Sequence, residues 1–316
     1  MIGLLPFRNE AVNMPRVMQN LFQVCDEVLG YDSNSEDGSA ELFLSLRGRL
    51  VESEHPKTYF EGGEHEIRSA LLAEARRLEC THLIFLDCDE YFSSDFLVLA
   101  DKHLAKLKPG EKLALEWVNL WGDDKHYCDS GIWKPRYKDF VMCDDGVSIY
   151  PYSIHHVSRT PNPPEEIPWK CLPRESGVVI HTQFVDQIAF QSKQILCRMS
   201  ELLVTSKTPY DINKTYKVTS NLSGITKPIN ASWIPQIPIH VTADFNWRQN
   251  EILKLVNLHG LKRFEKLDIW NTDFMQSIWR QNYLRKPRVA NNRSPLLLLK
   301  LIVYRIRKLA GYKFES

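Results

Sequence analysis

Residues 83 to 90 read Leu83-Ile84-Phe85-Leu86-Asp87-Cys88-Asp89-Glu90, an apolar run that ends in three acids within four positions. Leu83 to Leu86 has the length and uniform apolarity of a strand buried on both faces. Asp87 and Asp89 then follow at its carboxyl end. If the chain stays extended there, a spacing of two points both carboxylates the same way. Two carboxylates on one side of a sheet edge suit a hard divalent cation, one able to hold a diphosphate. The same residues also fit a strand end followed by an acidic helix cap. A second acid-rich loop, Asp32-Ser33-Asn34-Ser35-Glu36-Asp37-Gly38, follows the strand-like run Glu27 to Tyr31. It serves either as a turn and helix cap or as a binding loop whose Asp32 accepts a hydrogen bond from a base N–H.

The elements that must carry these acids alternate along the first ninety residues. Strand patterns at Ile2–Leu5, Glu27–Tyr31, Arg49–Glu52 and Leu83–Leu86 are separated by helical patterns at Met14–Cys25, Ser39–Leu46 and His65–Leu78. This order predicts an α/β fold, Rossmann-like, with a mainly parallel sheet and flanking helices. Further on, Leu113–Leu120, Ser148–Tyr152 and Gly177–Ile180 read as strands, and Asp186–Thr205, Asn250–His259 and Lys262–Asp268 as helices. Pro161 to Pro173 is a proline-rich loop, and residues 206–242 read as an irregular connection. The predicted organisation is a catalytic domain over 1–205, an acceptor-side extension over 206–284 and a basic tail over 285–316.

Composition is that of a globular protein, 43% hydrophobic and 25% charged over 316 residues. The net charge of +1 conceals an asymmetry. Arg285 to Ser316 holds nine Lys or Arg and one acid; of 40 bases and 39 acids in all, that leaves the body 31 and 38, a net of −7. Such a tail points to an anionic partner. Ser294-Pro295 starts a predicted helix whose Leu296–Leu309 stretch is amphipathic, with Lys300, Arg307 and Lys308 on one face. It reads as lying on an anionic membrane, the alternative being packing on the body or on a second subunit. Seven cysteines, without a Cys-x-x-Cys pair, point to a reducing compartment rather than a disulfide framework or zinc. The strand-like start at Ile2 gives no sign of a signal peptide, and no apolar stretch approaches a membrane span. A cytoplasmic protein, peripheral on the inner membrane face, is the expectation, with no nucleic acid partner. The aromatic stretches Trp117–Trp133 and Trp233–Trp279 fit core packing as well as sugar stacking.

Three motifs occur in order: Pro6-Phe7-Arg8-Asn9-Glu10, Asp32 to Ser39, and Phe85 to Glu90. Together they resemble the nucleotide-sugar domain of family 2 glycosyltransferases with the GT-A fold, of the bacterial surface-polysaccharide and lipopolysaccharide type. The likeness is firm over about residues 1–95 and looser to about 205. It implies that Pro6, Arg8, Glu10 and Asp32 hold the nucleoside. It implies further that Asp87 and Asp89 bind Mn²⁺ or Mg²⁺ on the diphosphate, and that Arg68 faces the donor. His181, ending the Val178–Ile180 strand, resembles the further metal ligand such enzymes supply late in the domain. The alternative for His181 is a strand-end histidine that caps a helix.

The implied reaction moves a sugar, with inversion, from a nucleotide-diphosphate sugar to a glycan or lipid-linked glycan. Similar transferases often carry a His-Glu pair as catalytic base; this chain has His155-His156 without the Glu. His156 and Glu166 stand as base candidates, beside Glu165, Asp123, Asp124, Asp144, Asp145 and Asp186. Two other readings compete. A nucleotidyltransferase or sugar pyrophosphorylase is expected to show a glycine-rich basic loop after the first strand, and Pro6-Phe7-Arg8-Asn9 is not one. A non-catalytic carbohydrate-binding scaffold has no need of intact Asp87 and Asp89.

Overall fold

Apolar runs become strands here where helices cover both of their faces. A computed structural model describes residues 1–52, 61–153, 157–219, 224–234 and 246–290; His155, His156 and the tail beyond residue 290 lie outside them. The strands are β1 (Ile2–Phe7), β2 (Glu27–Asp32), β3 (Arg49–Leu50), β4 (His82–Phe85), β5 (Glu90–Phe92), β6 (Lys112–Asn119), β7 (His126–Cys128), β8 (Arg136–Cys143), β9 (Lys170–Cys171), β10 (Val178–His181) and β11 (Thr226–Pro228). The helices are α1 (Met14–Leu21), α2 (Ser39–Ser45), α3 (Glu64–Arg77), α4 (Ser94–Leu104), α5 (Gln187–Val204), α6 (Pro209–Thr219), α7 (Asn246–His259) and α8 (Asp273–Asn282). The chain divides into two units, Met1–Lys193 with Leu222–Asn250, and Gln194–Asn221 with Glu251–Ser316.

The first unit is α/β. Its main sheet runs β3-β2-β1-β4-β8-β6-β10-β5, with β9 on β6. From β3 to β4 every pairing is parallel, with Ile2 beside both Glu27 and Leu83. β8 then enters antiparallel between β4 and β6, β10 returns parallel to β6, and β5 closes the edge antiparallel to β10. The pleat of β4 shows why its run is apolar throughout. Leu83 and Phe85 join the cluster of Ile67, Leu71 and Ala75 from α3. Ile84 and Leu86 join that of Met14 and Val17 from α1 and Phe96 from α4. Each such side chain contributes about 1.5–3 kcal/mol of burial free energy.

The carboxyl ends of β1, β2 and β4 lie side by side, and β10 brings His181 beside Glu90 of β5 and Asn119 of β6. These ends position the candidate site. In the second unit, Asn213 on α6 ties the chain together. Its Nδ2 donates to the carbonyls of Lys266 and Ala290 at 2.9 and 3.2 Å, and its Oδ1 accepts from the Asp268 amide at 2.8 Å.

Several sequence expectations change. Ser148–Tyr152 is not a strand; it contributes one isolated bridge, Ile149 to Asn162. Lys262–Asp268 is not an α-helix, and a 3₁₀ turn covers Leu261–Phe264. The stretch read as irregular contains α6. Trp117, Trp233, Trp270 and Trp279 are all buried and serve the core.

Candidate active site

After β4 the chain does not stay extended. The Glu90 amide donates to the Asp87 carbonyl at 3.0 Å, closing a turn over Asp87–Glu90. That turn sends the two aspartates to different partners. Asp87 Oδ2 lies 3.3 Å from Arg159 Nη2, and its Oδ1 lies 4.0 Å from Arg68 Nη2. The Asp87 side chain keeps 42% of its surface exposed, so its desolvation is partial. That desolvation opposes ionisation, but Arg159 and then Arg68 outweigh it and hold the carboxyl below its ordinary range.

Glu90 anchors this arrangement and is wholly buried. It accepts from Arg159 Nη1 and Nη2 at 2.6 and 2.7 Å, from Trp117 Nε1 at 2.7 Å and from the Asp87 amide at 3.0 Å. A buried carboxylate with this many donors is fully compensated.

Asp89 faces His181, with Oδ2 3.3 Å from Nε2, and Lys193 Nζ stands 3.7 Å away. Burial opposes its ionisation; His181 and Lys193 reverse that and hold the carboxyl far below its ordinary range. Which histidine nitrogen faces Asp89 follows from Asn119. Asn119 is fully buried, and its Nδ2 donates to the Trp133 carbonyl at 3.0 Å. Its Oδ1 is therefore the atom 2.8 Å from His181 Nδ1, and Nδ1 carries the proton it accepts. Nε2 then turns a lone pair toward a carboxylate. That contact is favourable only with positive charge at Nε2, either a proton or a divalent cation shared with Asp89.

The loops after β1 and β2 are zipped together. The Asn9 amide donates to Ser35 Oγ at 2.8 Å, the Glu36 amide to Asn9 Oδ1 at 2.7 Å and the Glu10 amide to Ser39 Oγ at 2.7 Å. Asn9 and Asn34 take left-handed backbone, with φ of 53° and 61°, a conformation asparagine tolerates. Asp32 turns into its own loop and accepts from the Ser35 amide and hydroxyl at 3.0 and 2.5 Å. Pro6 stays within β1, opposite Tyr31. Arg8 lies over the Trp247 ring, 5.8 Å from its centroid.

Glu10 accepts from Asn13 Nδ2 at 2.7 Å and has Arg248 Nη2 3.6 Å away. Burial pushes its carboxyl above the ordinary range, with Arg248 pulling the other way. Glu10, Asn13, Asp89, Asp186, Lys193 and Arg248 line one cleft.

The structure therefore brings Glu10 and Asp89 into one cleft, sets His181 against Asp89, and places Asp87 with Arg68 on the arginine side. Among the described residues no group of three or more His, Cys, Asp or Glu converges as a metal cage. Asp89 and His181 would offer a divalent cation one oxygen and one nitrogen ligand. Glu166 is exposed on the segment leading to β9 and makes no hydrogen bond or ion pair among the described residues. Of the other acids considered, Asp186 reaches the cleft while its Oδ1 accepts from the Ile188 and Ala189 amides. Asp144 instead pairs with Arg76, and Asp123 with His126. Sequence patterns did not single out Arg159, Asn119, Lys193 or Arg248, and they named Glu90 within the acidic motif without giving it a role. For Glu90 a signal existed, an acid that opens an otherwise apolar strand.

No protein-family model matches the sequence, and no curated protein matches it. Among solved structures, glucosyl-3-phosphoglycerate synthase from Mycobacterium tuberculosis, in complex with Mn²⁺ and uridine-diphosphate-glucose, is 18% identical over 38% of this chain and 43% of its own, with a TM-score of 0.27. Mannosyl-3-phosphoglycerate synthase from Rubrobacter xylanophilus is 18% identical over 39% and 40%, with a TM-score of 0.26. Mannose-1-phosphate geranyltransferase from Thermus thermophilus is 11% identical over 71% and 72%, with a TM-score of 0.30. The match thus spans about two-fifths of the length of the two synthases. TM-scores of this size describe partial likeness only.

Proposed function

We propose that the chain is a metal-dependent glycosyltransferase of the family 2, GT-A type, moving a sugar from a nucleotide-diphosphate donor to a glycan or lipid-linked glycan, with inversion. One observation carries this reading. Asp89 and an oriented His181 meet at the carboxyl edge of the sheet, where open α/β folds bind their ligands. Asp89 and His181 are the residues that hold the cation in this reading. When bound, it supplies positive charge to the departing diphosphate, and imidazole ligation suits Mn²⁺ better than Mg²⁺.

The chain's own groups do the rest. Lys193 and Arg248 add positive charge along the same cleft. Arg68 and Arg159 hold Asp87. The joined loops of Arg8, Glu10 and Asp32 form the floor assigned to the nucleoside. Asp186, His156 and Glu166 are the candidates for the base that takes the acceptor proton.

The test is donor hydrolysis and transfer with and without Mn²⁺. Asp89→Ala should cut turnover by roughly a hundredfold, the scale of losing an electrostatic stabiliser of developing charge, with an unchanged circular dichroism spectrum. Near-normal turnover in the variant, or indifference of the native enzyme to a chelator, defeats the reading.

A further inference from the structure

Two cations beside the site make no ion pair among the described residues. Arg136 and Lys138 occupy alternate positions of β8 and so share one face of that strand. Lys138 Nζ lies 3.2 Å from the centroid of the Trp117 ring, and the Arg136 guanidinium carbon 5.6 Å from it. Among the described residues neither makes a hydrogen bond or ion pair. The neighbouring cations are matched: Arg159 by Glu90 and Asp87, Arg68 by Glu64, Lys193 by Asp89 and Arg248 by Glu10.

The same indole links this pair to the reacting centre. Trp117 Nε1 donates to Glu90, and its ring stacks on His181 with centroids 4.3 Å apart. Burial, and then the nearby Arg159 guanidinium, push the Lys138 ammonium down to about 8. Glu90 and Asp87 are near enough to favour its charge, yet this half-buried ammonium has no direct anionic partner among the described residues.

We propose that Arg136 and Lys138 form an oxyanion subsite that receives a phosphate or carboxylate carried by the acceptor. The acceptor half of this statement rests on the glycosyltransferase reading; the anion half does not. The donor diphosphate already has cations of its own in Lys193 and Arg248, on the cleft that Asp89 lines. Arg136 and Lys138 are not among the residues lining that cleft; they lie over the buried Trp117 ring, which also stacks on His181, so an anion they receive is a second one beside the donor's.

The full chain is titrated with inorganic phosphate and with acetate, and separately with UDP and with GDP in the presence of Mn²⁺. The wild type should bind at least one of the two simple anions. Arg136→Gln and Lys138→Met should each weaken that binding tenfold or more and leave nucleotide affinity within twofold. Arg136 is exposed, so its variant reports on binding even if Lys138→Met disturbs β8. Glycerol phosphate and phosphatidate-containing vesicles, compared at equal phosphate, separate a small acceptor from a lipid-borne one.

A wild type that binds neither anion overturns the proposal, as do variants that bind as the wild type does. Equal losses of anion and nucleotide affinity overturn it too, by assigning the pair to the donor. If the wild type binds phosphate through this pair but no nucleotide, the subsite stands and the glycosyltransferase reading falls.

Discussion

Asn119 decides what His181 can do. With its amide held by the Trp133 carbonyl, it accepts from Nδ1 and leaves Nε2 for a cation. Asn119→Leu removes the acceptor at similar volume and frees the imidazole to change tautomer. Mn²⁺ affinity should drop roughly 10- to 100-fold, the usual loss when a partner orienting a ligand is removed; titration of Mn²⁺ into both proteins measures it. Acid should expose the aspartates. Asp87, which is partly exposed, and the more deeply set Asp89 are both held below their ordinary range. An unfolded Asp titrates near about 3.9. The stability these carboxylates contribute is therefore fully present above that value and lost as pH falls through the lower folded values. Urea midpoints of the wild type should fall between pH 5 and 2.5 by more than those of Asp89→Asn. The acids themselves were legible in the sequence, but their divergence was not. No Gly, Pro or Asn marks the Asp87–Glu90 turn, and Arg159 lies 72 residues from the Asp87 it holds.

The turn and β10 set the site's geometry at the scale of elements. Removing Glu90 strands a buried guanidinium, so Glu90→Ala should cost about 3–5 kcal/mol, the range for breaking a buried ion pair from one side. Denaturant unfolding reads this, and Glu90→Gln, which keeps one oxygen to accept from Trp117 Nε1 and Arg159 Nη2 but loses the acceptor for Arg159 Nη1 and the Asp87 amide, should cost less. Gly177 leads into β10 with φ of +136°, and a Cβ there meets the Phe96 Cβ at 2.4 Å and its Cα at 2.7 Å. Gly177→Ala should destabilise by roughly 1–3 kcal/mol, as overpacking does, and it should loosen His181 at the other end of the strand. A lower thermal midpoint together with weaker Mn²⁺ binding is the expected pair of results. The elements that the sequence pattern revealed are those with a clean repeat or an unbroken apolar run, β1 through β4 and the helices between them, then β6, β10, α5 and α7. β8 escaped notice because Arg136-Tyr137-Lys138-Asp139 hides its first half, although its second half is buried between β4 and β6. β5 is three residues long, too short for any period to show. Ser148–Tyr152 has strand-like residues but pairs only through one bridge, since β8 already fills the place beside β4.

At the scale of the whole molecule, charge is unevenly shared. No helix among the described residues is long and apolar enough to cross a membrane, and the body carries a net of −7. An anionic bilayer repels such a body, so the proposed attraction to a membrane face would have to come from the basic segment 285–316, most of which lies outside the described residues. Deleting residues from Ser294 onward removes Lys300, Arg305, Arg307, Lys308 and Lys313 together with the apolar Leu296–Leu309 face. Each base near an anionic surface is worth about 1 kcal/mol, and the attraction fades within a Debye length. Cosedimentation with phosphatidylserine vesicles should therefore pellet the full chain at low salt and less of it at high salt, while the truncated chain stays in the supernatant. Donor hydrolysis should persist in the truncated chain, because every residue assigned to the donor precedes residue 250. Equal pelleting of the two proteins would remove the membrane role from this segment. A fall in oligomer mass on truncation, with vesicle binding unchanged, would make the segment a subunit contact, and the Leu296–Leu309 face would then be buried against protein rather than lipid.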